Sequence, residues 1–387
     1  MSLVRISCCA KLHAFQLAEQ LERNSLLDKL CTIYHQRINS TMARFNSRSD
    51  TEKIGLEHVV TFPYLAPLIK WKVDPHFINS IFDSRVALHL KRDVKYRAFI
   101  GWSGMSIRSV KQAKRDGKIV IVERGSSHIG FQIPLLEEEY AVWGFKFERD
   151  DRVIEQELEE YELADYITIP SEFVRDTFLK KGIADKKLFK NNFGSTSYFN
   201  PTKAKRSKFT VLYVGSLSLR KGLPYLFEAL HLLKIDPALY DVWFVGSVQS
   251  EIQSMLPRYS KPNWKFFGHV NHYELPNMIS PCSVAVHPSL EEGLSMVIPQ
   301  LMSCGVPVIA TTNTGGADII TDGGNGVIVP IRSPEAIAKA LTVLFEDTAK
   351  LKSMQTDAAK FGQQFGTWDN YGDRYAAFLR QVINEKG

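Results

Sequence analysis

Along the chain, short runs of β-branched and aromatic residues alternate with stretches whose apolar positions recur every three to four residues. In the second half the spacing predicts strands at Phe209–Gly215, Asp241–Gly246, Trp264–Gly268, Ser283–His287, Pro307–Thr311 and Gly326–Val329. Between them it predicts helices at Leu223–Leu233, Tyr273–Ile279 and Met296–Ser303, with carboxy-terminal helices from Pro334 onward. Strand–helix alternation of this kind implies a parallel sheet covered by helices on both faces.

The first half repeats the pattern less cleanly. Strands are expected at Leu3–Cys8, Lys29–Ile33, Val59–Thr61, Ala98–Ile100, Lys118–Val122 and Tyr166–Ile169, and a first helix at His13–Arg23. Ser171 has the chemistry of an N-cap for a helix ending near Lys181, with Gly182 at its C′ position. The polar, basic stretch Asn200–Lys208 reads as an interdomain linker. Two α/β domains follow, residues 1–200 and 201–366. The cleft between them is the default ligand site.

The 387 residues allow two domains, and 44 % hydrophobic content is enough for two cores. No run of 18 apolar residues exists, and Arg5 interrupts the short apolar amino terminus, so neither a membrane span nor a secretory signal is expected. Five cysteines without C-x-x-C spacing point to reduced thiols in the cytoplasm. Charge is uneven. Residues 1–120 hold 20 basic and 10 acidic side chains, whereas residues 121–200 hold 10 and 16. The basic third suggests attraction to an anion, and the acidic stretch Glu148–Glu162 reads as a solvated helix face.

The most informative segment is His287–Asp322, HPSLEEGLSMVIPQLMSCGVPVIATTNTGGADIITD. A strand ends at His287, two acids follow, and a helix is expected to start near Ser295. Unobstructed amides beside Gly293 would make a diphosphate site, with Gln300 two turns further on. A second segment, Val214-Gly-Ser-Leu-Ser-Leu-Arg-Lys-Gly222, sets two cations in a strand-ending loop.

On these residues the chain resembles the retaining glycosyltransferases of the GT-B fold, glycosyltransferase family 4. That family carries E-G-x6-E-A-x2-x-G-x-P-V-I-A, which residues 292–310 follow. Phe267–Val270, Gly315-Gly316 and Asp322–Val329 match more weakly, as do the first β–α unit and Glu123-Arg-Gly-Ser-Ser-His128. The resemblance implies two Rossmann-like domains facing across a cleft, with a carboxy-terminal helix crossing back so that residues 367–387 complete the first. It implies transfer of a sugar from a nucleotide-sugar donor to a glycan or lipid-linked glycan, with no metal and no other cofactor; no D-x-D motif is present.

Carried over residue by residue, Lys221 and Arg220 would pair the donor diphosphate, and Glu292 would hold the sugar hydroxyls. Gly293, Leu294 and Ser295 would cap the phosphate through their backbone. Gly215 and Ser216 would line the first loop, and His269 and Val270 would flank the base. His128 would face the donor from the amino-terminal domain, where Lys11, His13, Trp102 and Ser103 are acceptor-side candidates. Two departures stand out. Gln300 replaces the family's second glutamate, which accepts from the ribose hydroxyls, and Ser216 replaces an arginine. They leave open a catalytically inactive sugar- or nucleotide-binding subunit, beside another GT-B activity such as a sucrose-type synthase or a sugar-nucleotide epimerase. Arg108, Lys111 and Arg115 share one helix face, which is either solvated or directed at an anionic membrane. The family reading favours cell-surface polysaccharide assembly and no nucleic-acid partner.

Overall fold

The computed structural model describes residues 3–10, 12–34, 54–196, 198–204 and 207–386. It contains two parallel sheets. The first comprises β1 (Val4–Cys8), β2 (Leu27–Thr32), β3 (Val59–Thr61), β4 (Ala98–Trp102), β5 (Ile119–Glu123), β6 (Tyr166–Ile169) and β7 (Leu188–Lys190), in the order β3-β2-β1-β4-β5-β6-β7. The second comprises β8 (Phe209–Val214), β9 (Tyr240–Val245), β10 (Trp264–Gly268), β11 (Val284–His287), β12 (Val308–Thr311) and β13 (Gly326–Val329), in the order β10-β9-β8-β11-β12-β13. Both orders reverse beside the first strand, so each sheet has a switch point where loops diverge and leave a crevice.

Strands covered on both faces lose the alternation of a one-sided sheet. Every residue of β1, β4 and β5 is accordingly buried. β2 begins two residues ahead of the expected Lys29, because Leu27 pairs with Val4. β7 was not anticipated. Its three residues are only half-buried and too few to carry a period.

The helix Trp368–Lys386 crosses back onto the amino-terminal domain and packs against the helix Ala14–Arg23. Tyr371, Tyr375, Leu379 and Ile383 on it join an apolar core continuous with Val4, Leu17, Ala18 and Leu21. Gly372 lies where any Cβ would overlap the Gln20 side chain, so the two helices meet at backbone distance.

The acidic helix Asp151–Leu163 keeps Asp151, Glu155, Glu159 and Glu162 exposed, as a solvated face requires, but turns two further acids inward. Glu157 and Glu160 are buried beside Tyr161. Glu160 accepts from the amides of Gly104 (2.6 Å) and Ser106 (2.8 Å), and burial pushes its carboxyl up to about 8. Glu157 pairs with buried Arg124 at 2.7 Å. These inward acids fix the loops that follow β4 and β5 at the carboxyl edge of the sheet.

Candidate active site

Glycine brings the two cationic residues to the acids. Gly222 has φ +67°, and a Cβ there would overlap the Pro288 carbonyl oxygen. The loop after β8 can therefore lie directly on the loop after β11. That contact sets Lys221 against Glu292, whose carboxylate also accepts from Ser289 Oγ at 3.1 Å and lies 3.7 Å from His287 Nε2. Arg220 Nη1 donates to the Glu291 carbonyl at 2.8 Å and stands 3.6 Å from the Glu291 carboxylate. Burial and repulsion from Arg220 push the Lys221 ammonium down to about 7, with Glu291 pulling the other way. Burial, reinforced by Lys221 and Arg220, holds His287 well below the usual imidazole range, so it is neutral.

The adjacent acids point to different partners. Glu292 stays with Lys221 in the carboxy-terminal domain. Glu291, fully buried, crosses to the other domain and accepts from Ser127 N (2.9 Å), Ser127 Oγ (2.8 Å) and Gln132 Nε2 (2.8 Å). Burial works to raise its pKa, but the Ser127 bonds with Arg220 and Arg124 outweigh it and hold the carboxyl below its ordinary value.

At Gly293 the domains touch. A Cβ there would overlap the Gly125 carbonyl oxygen, and Ser171 Oγ donates to the Gly293 carbonyl at 2.5 Å. Ser171 also caps its own helix by accepting from Val174 N. Further latches join Asp318 to Lys190 (3.1 Å) and the Glu172 amide (3.1 Å), and Glu139 to Arg332 (2.8 Å) and Tyr225 (3.0 Å). The cleft is closed at this level.

Among the donor-side candidates, Gly293 and Leu294 have amides without a carbonyl partner among the described residues. Ser295 does not: its amide donates to the Thr314 carbonyl at 3.0 Å. The helix also begins later than expected, at Val297, and has seven residues, so its dipole adds little. Gly215 has φ +143° at the end of β8, and Ser216 Oγ accepts from Gln249 at 3.0 Å. His269 is exposed, its Nδ1 3.0 Å from the Val270 carbonyl, while Val270 packs on the core. Gln300 is buried, with its amide 3.4 Å from His272 Nε2; His272 also meets the Tyr198 hydroxyl.

In the amino-terminal domain the candidates separate. His128 is buried rather than presented across the cleft. Its Nδ1 caps the helix Ile129–Val142 by accepting from Gly130 N at 3.0 Å, and its ring packs on Tyr161 and Phe178. Burial first, then Arg124 and Lys181, push it down to about 4. Trp102 is also buried, against the His13 ring, and offers no open stacking face. Ser103 Oγ accepts from Arg124 at 3.2 Å. Lys11 lies outside the described residues. His13 is the candidate at a chemical centre: its Nε2 is 2.9 Å from buried Glu123, which also accepts from Tyr375 at 3.3 Å, and it sits beside Gly125. Ser127, Gln132, Arg124 and Glu123 were missed as site residues. The cluster Glu123–His128 hinted at three of them, and nothing in the sequence pointed to Gln132.

Two doubly wound parallel sheets closing on each other at their carboxyl edges, with the last helix returning to the first domain, define the GT-B class. Residues 195–361 match the family model described as glycosyl transferases group 1. Alpha-D-kanosaminyltransferase of Streptomyces kanamyceticus is 29 % identical over 178 residues, 44 % of this chain and 45 % of that protein. O-antigen chain mannosyltransferase B of Escherichia coli is 24 % identical over 164 residues, 41 % of this chain and 42 % of that one. The alignments span a little under half the length of these curated relatives. The structure of Anabaena HepE in complex with UDP is similar over 98 % of this chain and 100 % of that one, with TM-score 0.69 and 15 % identity. No helix among the described residues is long and apolar enough to cross a membrane.

Proposed function

We propose that the protein is a retaining glycosyltransferase that moves a sugar from a nucleotide-sugar donor to a glycan or lipid-linked glycan, in cell-surface polysaccharide assembly at the cytoplasmic face of a membrane. The observation that carries this reading is the meeting of Arg220, Lys221 and Glu292 beside the unspent amides of Gly293 and Leu294. Two cations and two amides suit a diphosphate whose charge grows as it leaves. They supply the charge compensation for which the proposal invokes no metal. Glu292, once Lys221 turns to the phosphate, is left to accept from sugar hydroxyls. Glu291 is spent on Ser127 and Gln132, so no nucleophilic role is assigned to it. The departing phosphate oxygen takes the acceptor proton as the new glycosidic bond forms on the same face. Relatives named for glycosyl transfer, and the UDP held by HepE, support a nucleotide donor.

The test is thermal stabilisation by UDP, GDP, CDP and dTDP, followed by hydrolysis of the matching nucleotide sugar. Stabilisation with turnover supports the enzyme. Stabilisation without turnover under any acceptor supports the binding-subunit reading, which Gln300 turned toward His272 favours. No stabilisation by any nucleotide refutes both.

A further inference from the structure

Among the described residues, a concentration of exposed apolar side chains lies far from the donor residues in sequence. Tyr64 is 51 % exposed, Ile69 41 %, Trp71 71 % and Phe77 53 %. All four fall within fourteen residues that leave the carboxyl end of β3, an edge strand. The segment makes a 3-10 turn at Pro63–Leu65 and a short helix at Ala66–Lys70, which packs against the long helix Pro75–Arg92. Buried Leu65, Ile78 and Phe82 anchor it. Between the helices Lys72 takes φ +54°, a left-handed conformation that costs a residue with a Cβ, so the reversal that leaves Trp71 outside is held by its surroundings.

Folding did not need these side chains outside. Large apolar side chains left exposed this close together in sequence mark a place that something else can cover. Charge narrows the occupant. Lys70 and Lys72 flank Trp71 and are exposed, and no acid lies between Glu57 and Asp74. Asp74 caps its helix by accepting from the His76 amide and lies 3.0 Å from Arg152, which it shares with Asp150. Tryptophan, tyrosine and lysine around an apolar tip are the residues that settle at a membrane–water boundary. The basic helix Ile107–Arg115 is a poorer candidate, because Arg108 donates to the Ser80 carbonyl at 2.8 Å and Lys111 pairs with Glu159 at 2.6 Å.

Position strengthens the case. All seven strands of the first sheet are parallel, so the carboxyl end of β3 lies at the same edge as the loops bearing His13, Trp102 and Glu123. We propose that the segment Tyr64–Phe77 is a membrane foot. Trp71, Tyr64, Ile69 and Phe77 enter the headgroup boundary of an anionic bilayer, Lys72 meets its phosphates, and the acceptor edge of the cleft is held at the lipid surface. The inference rests on the glycosyltransferase reading only for the class of acceptor, a lipid-linked glycan.

The full chain is mixed with vesicles of phosphatidylcholine alone and of phosphatidylcholine with one-third phosphatidylglycerol, then floated on a density gradient. Wild type is expected to float with the anionic vesicles and to be released by salt. Trp71→Ser combined with Tyr64→Ser should lower partitioning by at least about tenfold, and Lys72→Gln by about fivefold. Unchanged melting temperatures show that these surface variants fold. Failure of wild type to float, equal flotation of the variants, or equal flotation with both vesicle types overturns the foot. Self-association that disappears in Trp71→Ser also overturns it, by assigning the face to a second copy. Nucleotide-induced stabilisation is measured on the same samples. Its loss in wild type refutes the proposed function, whatever the vesicles report.

Discussion

Glu291 offers the sharpest test of how the two domains are coupled. Glu291→Ala would strip the Ser127 amide, the Ser127 hydroxyl and the Gln132 amide of their shared acceptor, and leave Arg124 and Arg220 without that counter-charge. Removing one partner from a buried charged network costs about 3–5 kcal/mol. One apolar cluster runs through both domains, from Val4 and Leu17 to Leu212 and Ile298, but the partners of Glu291 lie at the seam itself, so the cost is assigned to closure. At ~1.4 kcal/mol per factor of ten, the lower figure still shifts the closed-to-open ratio by about 10². Small-angle scattering should record a larger radius of gyration for Glu291→Ala than for wild type. Glu291→Gln, which keeps an acceptor for Ser127, should fall between them. The pH dependence has a definite sign. The folded carboxyl is held below its unfolded value, so its contribution is complete above the ordinary carboxylate range and is lost as pH falls through the folded pKa. Wild type should therefore open on acidification, and Glu291→Gln should lose that part of the response. An unchanged radius of gyration in Glu291→Ala would refute this account of the closed cleft.

Gly293→Ala should prevent closure more directly, because its Cβ would overlap the Gly125 carbonyl; expansion by scattering together with lost donor turnover checks this. Lys221→Ala should weaken UDP binding by about tenfold or more in calorimetry, the loss of one charge-assisted contact at ~1.5–3 kcal/mol. With the Lys221 ammonium at about 7, UDP affinity of the wild type should weaken as pH rises above that value, and Lys221→Arg should flatten the dependence. Gln300→Glu should keep or raise nucleotide affinity if the amide merely replaces an acid; an inactive Gln300→Glu would give the amide, poised at His272, a role of its own.

Much of the architecture was legible because buried parallel strands are written as β-branched runs, and the ends of β8 to β13 moved by no more than a residue or so. What periodicity could not resolve was which acids face inward. Glu157, Glu160 and Tyr161 occupy one helical face, and the tyrosine was the available signal that the face is covered. The site was legible as a motif but not as a set of partners. Glu291 and Glu292 are adjacent and chemically identical, yet one reaches Ser127, 164 residues away, and the other reaches Lys221. His128 looked like a reactive imidazole because helix capping by a histidine leaves no distinct trace in sequence. Glu123 was hidden for the opposite reason, as its neighbours His13 and Tyr375 come from the two ends of the chain.

The returning helix Trp368–Lys386 also sets a timetable for biosynthesis. The amino-terminal sheet is finished at Lys190, but the helix that covers Leu17, Ala18 and Leu21 and supplies Tyr375 to Glu123 is translated only after the whole second sheet. At about 5–20 residues per second, the intervening stretch takes roughly 10–40 s to synthesise. Throughout that interval the nascent first domain leaves the ribosome with an uncovered apolar groove, a natural landing place for a chaperone. The domain begun first is completed only after the second sheet has been made.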